Sequence, residues 1–431
     1  VEVTKIGDDT FLAGVMRLVA EAQASKSRLQ ILSDRAAYYL TIIAVVVGGI
    51  TFVTWLATAE TAFAIERMVA VLVIACPHAL GLAIPLVASI STTKAAQNGF
   101  LVKQRLALEA ARNIDVVLFD KTGTLTKGEF GIDKIISADP NKETLVLQYS
   151  ASVNSHSEHP IAKTTVAEAK KRGISLLEVK NFQRIPGKGV RAEVEGSEIL
   201  VGSSTLVNER KVSLSNELKK QVDMLATEGK TINFVLSGGQ VIGAIALADV
   251  IREESREAIN TLRDMGVKTA MITGDAEDVA KWVSSELKID EYFARVLPHQ
   301  KSEKVKLLQK KGQKVAMVGD GVNDAPALTQ ADLGIAIGAG TNVAIESAGI
   351  ILVRNDPRDI VKIIKLSRLT YAKMIQNLFW ATGYNIVAIP LAAGILAFKG
   401  VLLQPALAAL FMSLSTVIVA VNAMLLRNKS L

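Results

Sequence analysis

Four runs without a single Asp, Glu, Lys or Arg, at 36–59, 68–93, 374–398 and 400–426, constrain this chain more than any other feature. Each has the roughly 20 apolar residues that an α-helix needs to cross a ~30 Å hydrocarbon core. Buried helices of a large soluble protein are the alternative, but four such runs in two tight pairs fit that poorly. Within the pairs the connections are 60–67 and a single turn near Lys399-Gly400. Basic residues gather at the opposite ends: Lys26, Arg28 and Arg35; Lys94, Lys103 and Arg105; Arg368 and Lys373; Arg427 and Lys429. By the positive-inside tendency, both termini and the long segment between the second and third runs are cytoplasmic. The net charge of +7 then belongs to these flanks and to anion binding, and calls for no nucleic-acid partner. The one cysteine, Cys76, leaves no intrachain disulfide to form.

The segment 94–373 reads as α/β. Short apolar runs at 116–119, 269–272 and 314–318 each end in a polar loop containing Gly and Asp, with helical patterns between them at 253–265 and 301–311. That alternation suits a doubly wound parallel sheet with its site at the carboxyl ends of the strands. Between 131 and 246 the pattern changes to alternating segments, as at 190–194, 198–201 and 232–236, which predict an inserted α+β domain built on an antiparallel sheet.

Asp120-Lys121-Thr122-Gly123-Thr124-Leu125-Thr126 follows the first of the apolar runs. An aspartate ending a buried strand, ahead of a Thr-Gly-Thr turn whose amides can face phosphate oxygens, is placed to act as a nucleophile. A carboxylate attacking a γ-phosphate needs charge neutralisation more than a base, hence a lysine and a metal ion. Later loops offer both. Thr273-Gly274-Asp275 can hydrogen-bond the phosphoryl group, Lys301 can offset its charge, and Asp320 and Asp324, around Asn323, suit Mg²⁺.

Together these motifs resemble the haloacid-dehalogenase superfamily and, within it, the P-type ATPases, whose phosphorylation motif reads Asp-Lys-Thr-Gly-Thr. The resemblance implies that Asp120 is the phosphorylated nucleophile in the Lys121-Thr122 loop and Asp320 the principal Mg²⁺ ligand. Thr273 and Lys301 would contact the phosphate, with Gly274, Asp275, Asn323 and Asp324 completing the site. Thr122 stands where many phosphatases of the superfamily have a catalytic aspartate, which would let an acyl phosphate persist. In the inserted domain, Ser157-Glu158-His159-Pro160, then Gly187-Lys188-Gly189 and Gly202, resemble the nucleotide-binding domain of the heavy-metal members. ATP would lie there against Glu158, His159, Gly187, Gly189, Gly202 and Asn154, the last standing where that family usually has a glutamate.

Cys76-Pro77-His78 lies near the middle of the second run. Its proline breaks the helix beside a soft thiol and a borderline imidazole, and ionisable groups inside membranes are usually functional. The tripeptide is similar to that of the CPx-type heavy-metal pumps, in the Cys-Pro-His subgroup, and the likeness covers nearly the whole chain. It implies that Cys76, His78, Asn385, Met412 and Ser415 lie near the transported ion. Thiolate, thioether and imidazole favour copper, as Cu⁺ or Cu²⁺, or silver. Zinc remains the competing cargo, and a membrane-anchored phosphatase that transports nothing is the reading from another class.

The expected arrangement is therefore an actuator tail and linker at 1–35, two spans at 36–93, a phosphorylation domain at 94–130 and 247–373 around a nucleotide-binding domain at 131–246, and two spans at 374–427. The family's Thr-Gly-Glu actuator loop does not occur in this sequence, so the chain is expected to be partial, working with a preceding N-terminal region. By the same resemblance the partners are the lipid bilayer, ATP with Mg²⁺, and a heavy-metal ion delivered by a metallochaperone, and the location is a plasma or inner membrane.

Overall fold

The computed structural model describes residues 25–186, 188–320, 322–338 and 346–431. Most of the expected actuator tail, together with Gly187 and Gly321, lies outside the described residues. The chain divides into two compact units: Val1–Asp115 with Val305–Met317 and Ala325–Leu431, and Val116–Lys304 with Val318–Asp324.

In the first unit three helices are long and apolar enough to cross a membrane among the described residues: Arg28–Leu56, Thr61–Gln97 and Pro405–Asn428. Ser27 starts the first, its hydroxyl accepting from the Gln30 amide at 3.1 Å, as an N-cap does. The connection expected at 60–67 is shorter, because helix resumes at Thr61. Arg67 is drawn inside (1 % exposed) since its guanidinium finds the Leu403 carbonyl at 2.7 Å and the Glu66 carboxylate at 2.5 Å.

The helix Thr61–Gln97 is interrupted where the proline predicts. Pro77 has no amide for the Val73 carbonyl, which takes the Cys76 amide instead at 3.3 Å, and the regular ladder restarts with the Gly81 amide on Pro77. The third apolar run is not one continuous helix: Arg358–Thr382 carries helix from the charged region into the apolar run, and a separate helix, Asn385–Ala393, follows. Pro390 has no amide to offer the Ile386 carbonyl, and the turn before it is tight, with the Ile386 and Val387 amides each bonding three residues back. Gly394, at φ +91°, then ends the second helix. Pro405–Met424 packs on both Thr61–Ile74 and His78–Gln97, over a core of small and branched residues such as Ala83, Val87, Val419 and Ala423. This unit also holds a short parallel pair, Leu333–Ala336 beside Ile350–Leu352, with Phe100–Val102 antiparallel to the latter.

In the second unit Val116–Asp120 runs parallel to Lys268–Ile272, which runs parallel to Glu291–Phe293. All five residues of Val116–Asp120 are buried. Asp120 pairs in register with Ile272, so the loops after both strands open at the same end. The expected inserted sheet is present: six antiparallel strands ordered Thr126–Ser137, Gln240–Ile251, Thr231–Ser237, Ser197–Gly202, Gly189–Val194 and Val179–Ile185. Alternate residues of its central strands enter different cores. Ile199, Val201, Val235 and Ile245 pack with the helix Glu143–Asn154, while Leu200, Leu236 and Ala244 pack with Ser204–Glu209 and Asn216–Thr227. Both faces are covered, so consecutive residues such as Ile199, Leu200 and Val201, or Phe234, Val235 and Leu236, are all buried. Each fully buried Leu or Ile contributes about 1.5–3 kcal/mol.

Candidate functional site

The strand ending at Asp120 and the loop at Asp320–Asp324 converge on one lysine. Lys301 donates from Nζ to Asp120 Oδ1 at 2.7 Å and to Asp324 Oδ1 at 2.6 Å. Asp120, Asp320 and Asp324 offer carboxylate oxygens within 4.8 Å of one another. The turn after Asp120 is shaped for this approach. Gly123 has φ +75°, and a Cβ there would overlap the Asp320 carboxylate, so any larger residue would push the two loops apart.

Burial, then the Asp324 charge, pushes the Asp120 carboxyl up to about 7, against the pull of Lys301. Burial and the same neighbour also raise Asp320. For Lys301 burial works against the charge, but the Asp120 and Asp324 carboxylates outweigh it and hold the ammonium above its ordinary value. Three carboxylates against one ammonium leave excess negative charge, and an all-oxygen donor set of this kind fits a hard divalent cation such as Mg²⁺.

Lys121 turns away from this cluster to Asp275 at 2.6 Å and Asp249 at 3.5 Å. Thr273 is buried (2 % exposed), and its hydroxyl accepts from the Asp275 amide at 3.2 Å. Its first role is therefore to shape the Thr273-Gly274-Asp275 turn. Thr122, Gly274 and Asn323 are exposed.

A second site lies on the antiparallel sheet. Asn154, His159, Gly189 and Gly202 line one cleft of about 270 Å³. His159 caps the helix Pro160–Lys171, its Nδ1 accepting from the Ile161 amide at 3.3 Å. That bond leaves the ring proton on Nε2. Asn154 is buried, and its Nδ2 donates to Ser150 Oγ at 3.3 Å. Gly189 and Gly202 face each other across a strand pair, where a Cβ on either would overlap backbone. Glu158, just before that helix, is 89 % exposed at its side chain and pairs with Lys163 at 2.5 Å; it is not among the residues lining the cleft. Gly187 lies outside the described residues.

Inside the apolar bundle, Cys76 and His78 are exposed and Met412 is half-buried. Ser415 donates to the Trp380 carbonyl at 3.3 Å. Asn385 is 3 % exposed, yet among the described residues neither its Nδ2 nor its Oδ1 has a hydrogen-bond partner, and the buried Tyr384 hydroxyl also lacks one of good geometry. That hydroxyl faces Ser415 and Cys76. Unsatisfied buried amide and hydroxyl groups cost about 1–3 kcal/mol each, and the Tyr384 hydroxyl, facing a thiol and a second hydroxyl, makes a polar spot in an apolar surround.

The haloacid dehalogenase-like hydrolase family matches residues 114–332. A crystallised zinc-transporting PIB-type ATPase in its E2.Pi state superposes with a TM-score of 0.79 at 30 % identity, covering 99 % of this chain and 69 % of that one. The chain belongs to the P-type ATPases. Among curated members of the family it is similar to the copper-exporting P-type ATPase B of Archaeoglobus fulgidus, 57 % identical over 99 % of this chain and 61 % of the relative. The probable copper-transporting P-type ATPase B of Staphylococcus epidermidis is 46 % identical over 100 % of this chain and 64 % of its own length. The chain thus spans 61–64 % of the length of these two relatives.

For this P-type ATPase the sequence reading missed two residues that hold the loop after Asp120. Asp249 accepts from the Thr126 hydroxyl at 2.6 Å and the Gly128 amide at 3.1 Å, besides facing Lys121. Arg252 donates to the Thr126 carbonyl at 3.0 Å and the Gly123 carbonyl at 3.4 Å. Their signal was available: two opposite charges where the long strand Gln240–Ile251 gives way to the helix Glu253–Asp264.

Proposed function

We infer that the chain is the energy-coupling part of an ATP-driven copper exporter that works through an aspartyl phosphate on Asp120. The observation that carries this reading is Lys301 bridging Asp120 and Asp324, both buried, beside Asp320. In the reaction, one Asp120 carboxylate oxygen attacks the γ-phosphorus of ATP. The new O–P bond forms as the bond to the β–γ bridging oxygen breaks, and ADP leaves with that electron pair. Lys301, already on Asp120 Oδ1, turns its charge to the transferring phosphoryl oxygens. Mg²⁺, held by Asp320 with Asp324 in support, would supply further charge neutralisation. The Thr273 turn and the amides after Asp120 would orient the phosphoryl group, while Lys121 and Asp275 hold the approach. Asn154, His159, Gly189 and Gly202 would hold the nucleotide.

For the cargo, Cys76 and His78 offer a thiol and an imidazole, and Asn385, Met412 and Ser415 add amide, thioether and hydroxyl donors. No carboxylate lies in the apolar runs. That set favours copper, in line with the names of the relatives at 57 % and 46 % identity. The alternative is zinc, which the solved neighbour at 30 % identity is described as transporting. The test is ATP hydrolysis by the full-length protein with Cu⁺, Cu²⁺, Ag⁺ or Zn²⁺ supplied singly. Stimulation by copper or silver is expected, and stimulation by zinc alone would reassign the cargo. The basic flanks place the catalytic segments on the cytoplasmic side, and export points to a plasma or inner membrane.

A further inference from the structure

The nucleotide cleft has a charge asymmetry that the residues so far described do not use. No carboxylate lines it among the described residues, and its two cationic side chains, Arg184 and Lys188, come from one short stretch. Arg184 sits on the strand Val179–Ile185, paired in register with Val190, one residue before Ile185 meets Gly189. The chain then turns tightly, with the Lys188 amide on the Ile185 carbonyl at 3.0 Å and the Ser203 amide on the Lys188 carbonyl at 3.0 Å. Lys188 therefore projects from backbone fixed on two sides, and Arg184 from the edge strand of the sheet, held by its pairing with Val190. They differ in what they touch. Lys188 is paired with Glu209 at 2.8 Å, whereas the exposed Arg184 guanidinium has no ion pair or hydrogen bond among the described residues.

We propose that Arg184 is a nucleotide-binding residue that anchors the polyphosphate of the bound nucleotide, with Lys188 held in reserve by Glu209. This rests on the reading of the cleft as the ATP site and adds the end of the ligand that the cleft's charge recognises. A guanidinium presents a planar fork that matches phosphate oxygens in pairs. An unpaired one on a strand end held by the neighbouring strand loses no existing partner when it engages them. The neutral part of the cleft, with Asn154, is left for the base. Lys188 must first leave Glu209, so it contributes less in the wild type.

The test measures displacement of a fluorescent ATP analogue from the detergent-purified chain by ATP, ADP, AMP and adenosine. Arg184→Ala is expected to weaken ATP and ADP about tenfold while leaving adenosine within about twofold, and Arg184→Lys to recover part of the loss. Raising ionic strength should weaken ATP binding more in the wild type than in Arg184→Ala. Glu209→Gln should tighten ATP by releasing Lys188. Equal losses for ATP and adenosine in Arg184→Ala, or no loss for either, would overturn the proposal. A wild-type chain that binds no ATP analogue would instead overturn the reading of the cleft itself.

Discussion

Asp120, as the nucleophile we propose, holds two properties in tension: it would have to be ionised to attack, yet burial and Asp324 push its carboxyl up to about 7. An unfolded aspartate titrates near 4. Between about pH 4 and pH 7 the folded chain thus binds more protons at this group than the unfolded chain, and its stability falls as pH rises through that window. The loss is on the order of a few kcal/mol without a divalent ion. Asp120→Asn removes it. Thermal unfolding in excess chelator should show the variant more stable than the wild type at pH 7.5, with the gap closed near pH 4. A gap that grows toward acid would mean that the carboxylate is stabilised by its surroundings. The cluster's members were legible in the sequence because motif spacing fixes them. Their pairing was not: that Lys301 reaches Asp324 as well as Asp120, while Lys121 turns to Asp275, depends on side-chain directions that no spacing encodes.

At the scale of elements, the strands Thr126–Ser137 and Gln240–Ile251 leave and re-enter the parallel-sheet region side by side, pairing at Thr126 and Ile251. Arg252 and Asp249 close this junction on the nucleophile's loop, and Ser255 adds a hydrogen bond to the Leu125 carbonyl at 2.9 Å. Arg252→Ala leaves the Gly123 and Thr126 carbonyls unheld. Misplacement of a reacting group by about 1 Å can cost about 100-fold, so the rate of phosphorylation should fall by about 10–100-fold while ATP affinity stays within about twofold. Single-turnover phosphorylation beside equilibrium binding separates the two, and a matching loss of affinity would place Arg252 in the nucleotide site instead. The alternating strand patterns gave away the inserted sheet, and Pro77 gave away the break in the second span. The division of the third apolar run at Gly383-Tyr384 was hidden, because an uncharged run looks the same whether its helix is whole or tightened ahead of Pro390.

Across the whole molecule, the proposed metal donors Cys76 and His78 and the proposed nucleophile Asp120 belong to different units, so a change in one should leave the other's binding intact. His78→Ala should alter which metals stimulate ATP hydrolysis by the full-length protein without changing nucleotide affinity. Equal loss of both would mark a folding defect. The account as a whole depends on Asp120 carrying phosphate. Incubating the full-length protein with γ-labelled ATP, Mg²⁺ and copper, then quenching in acid, tests this directly. Label that hydroxylamine removes, and that Asp120→Asn abolishes, is the predicted result; label that survives in Asp120→Asn would contradict it.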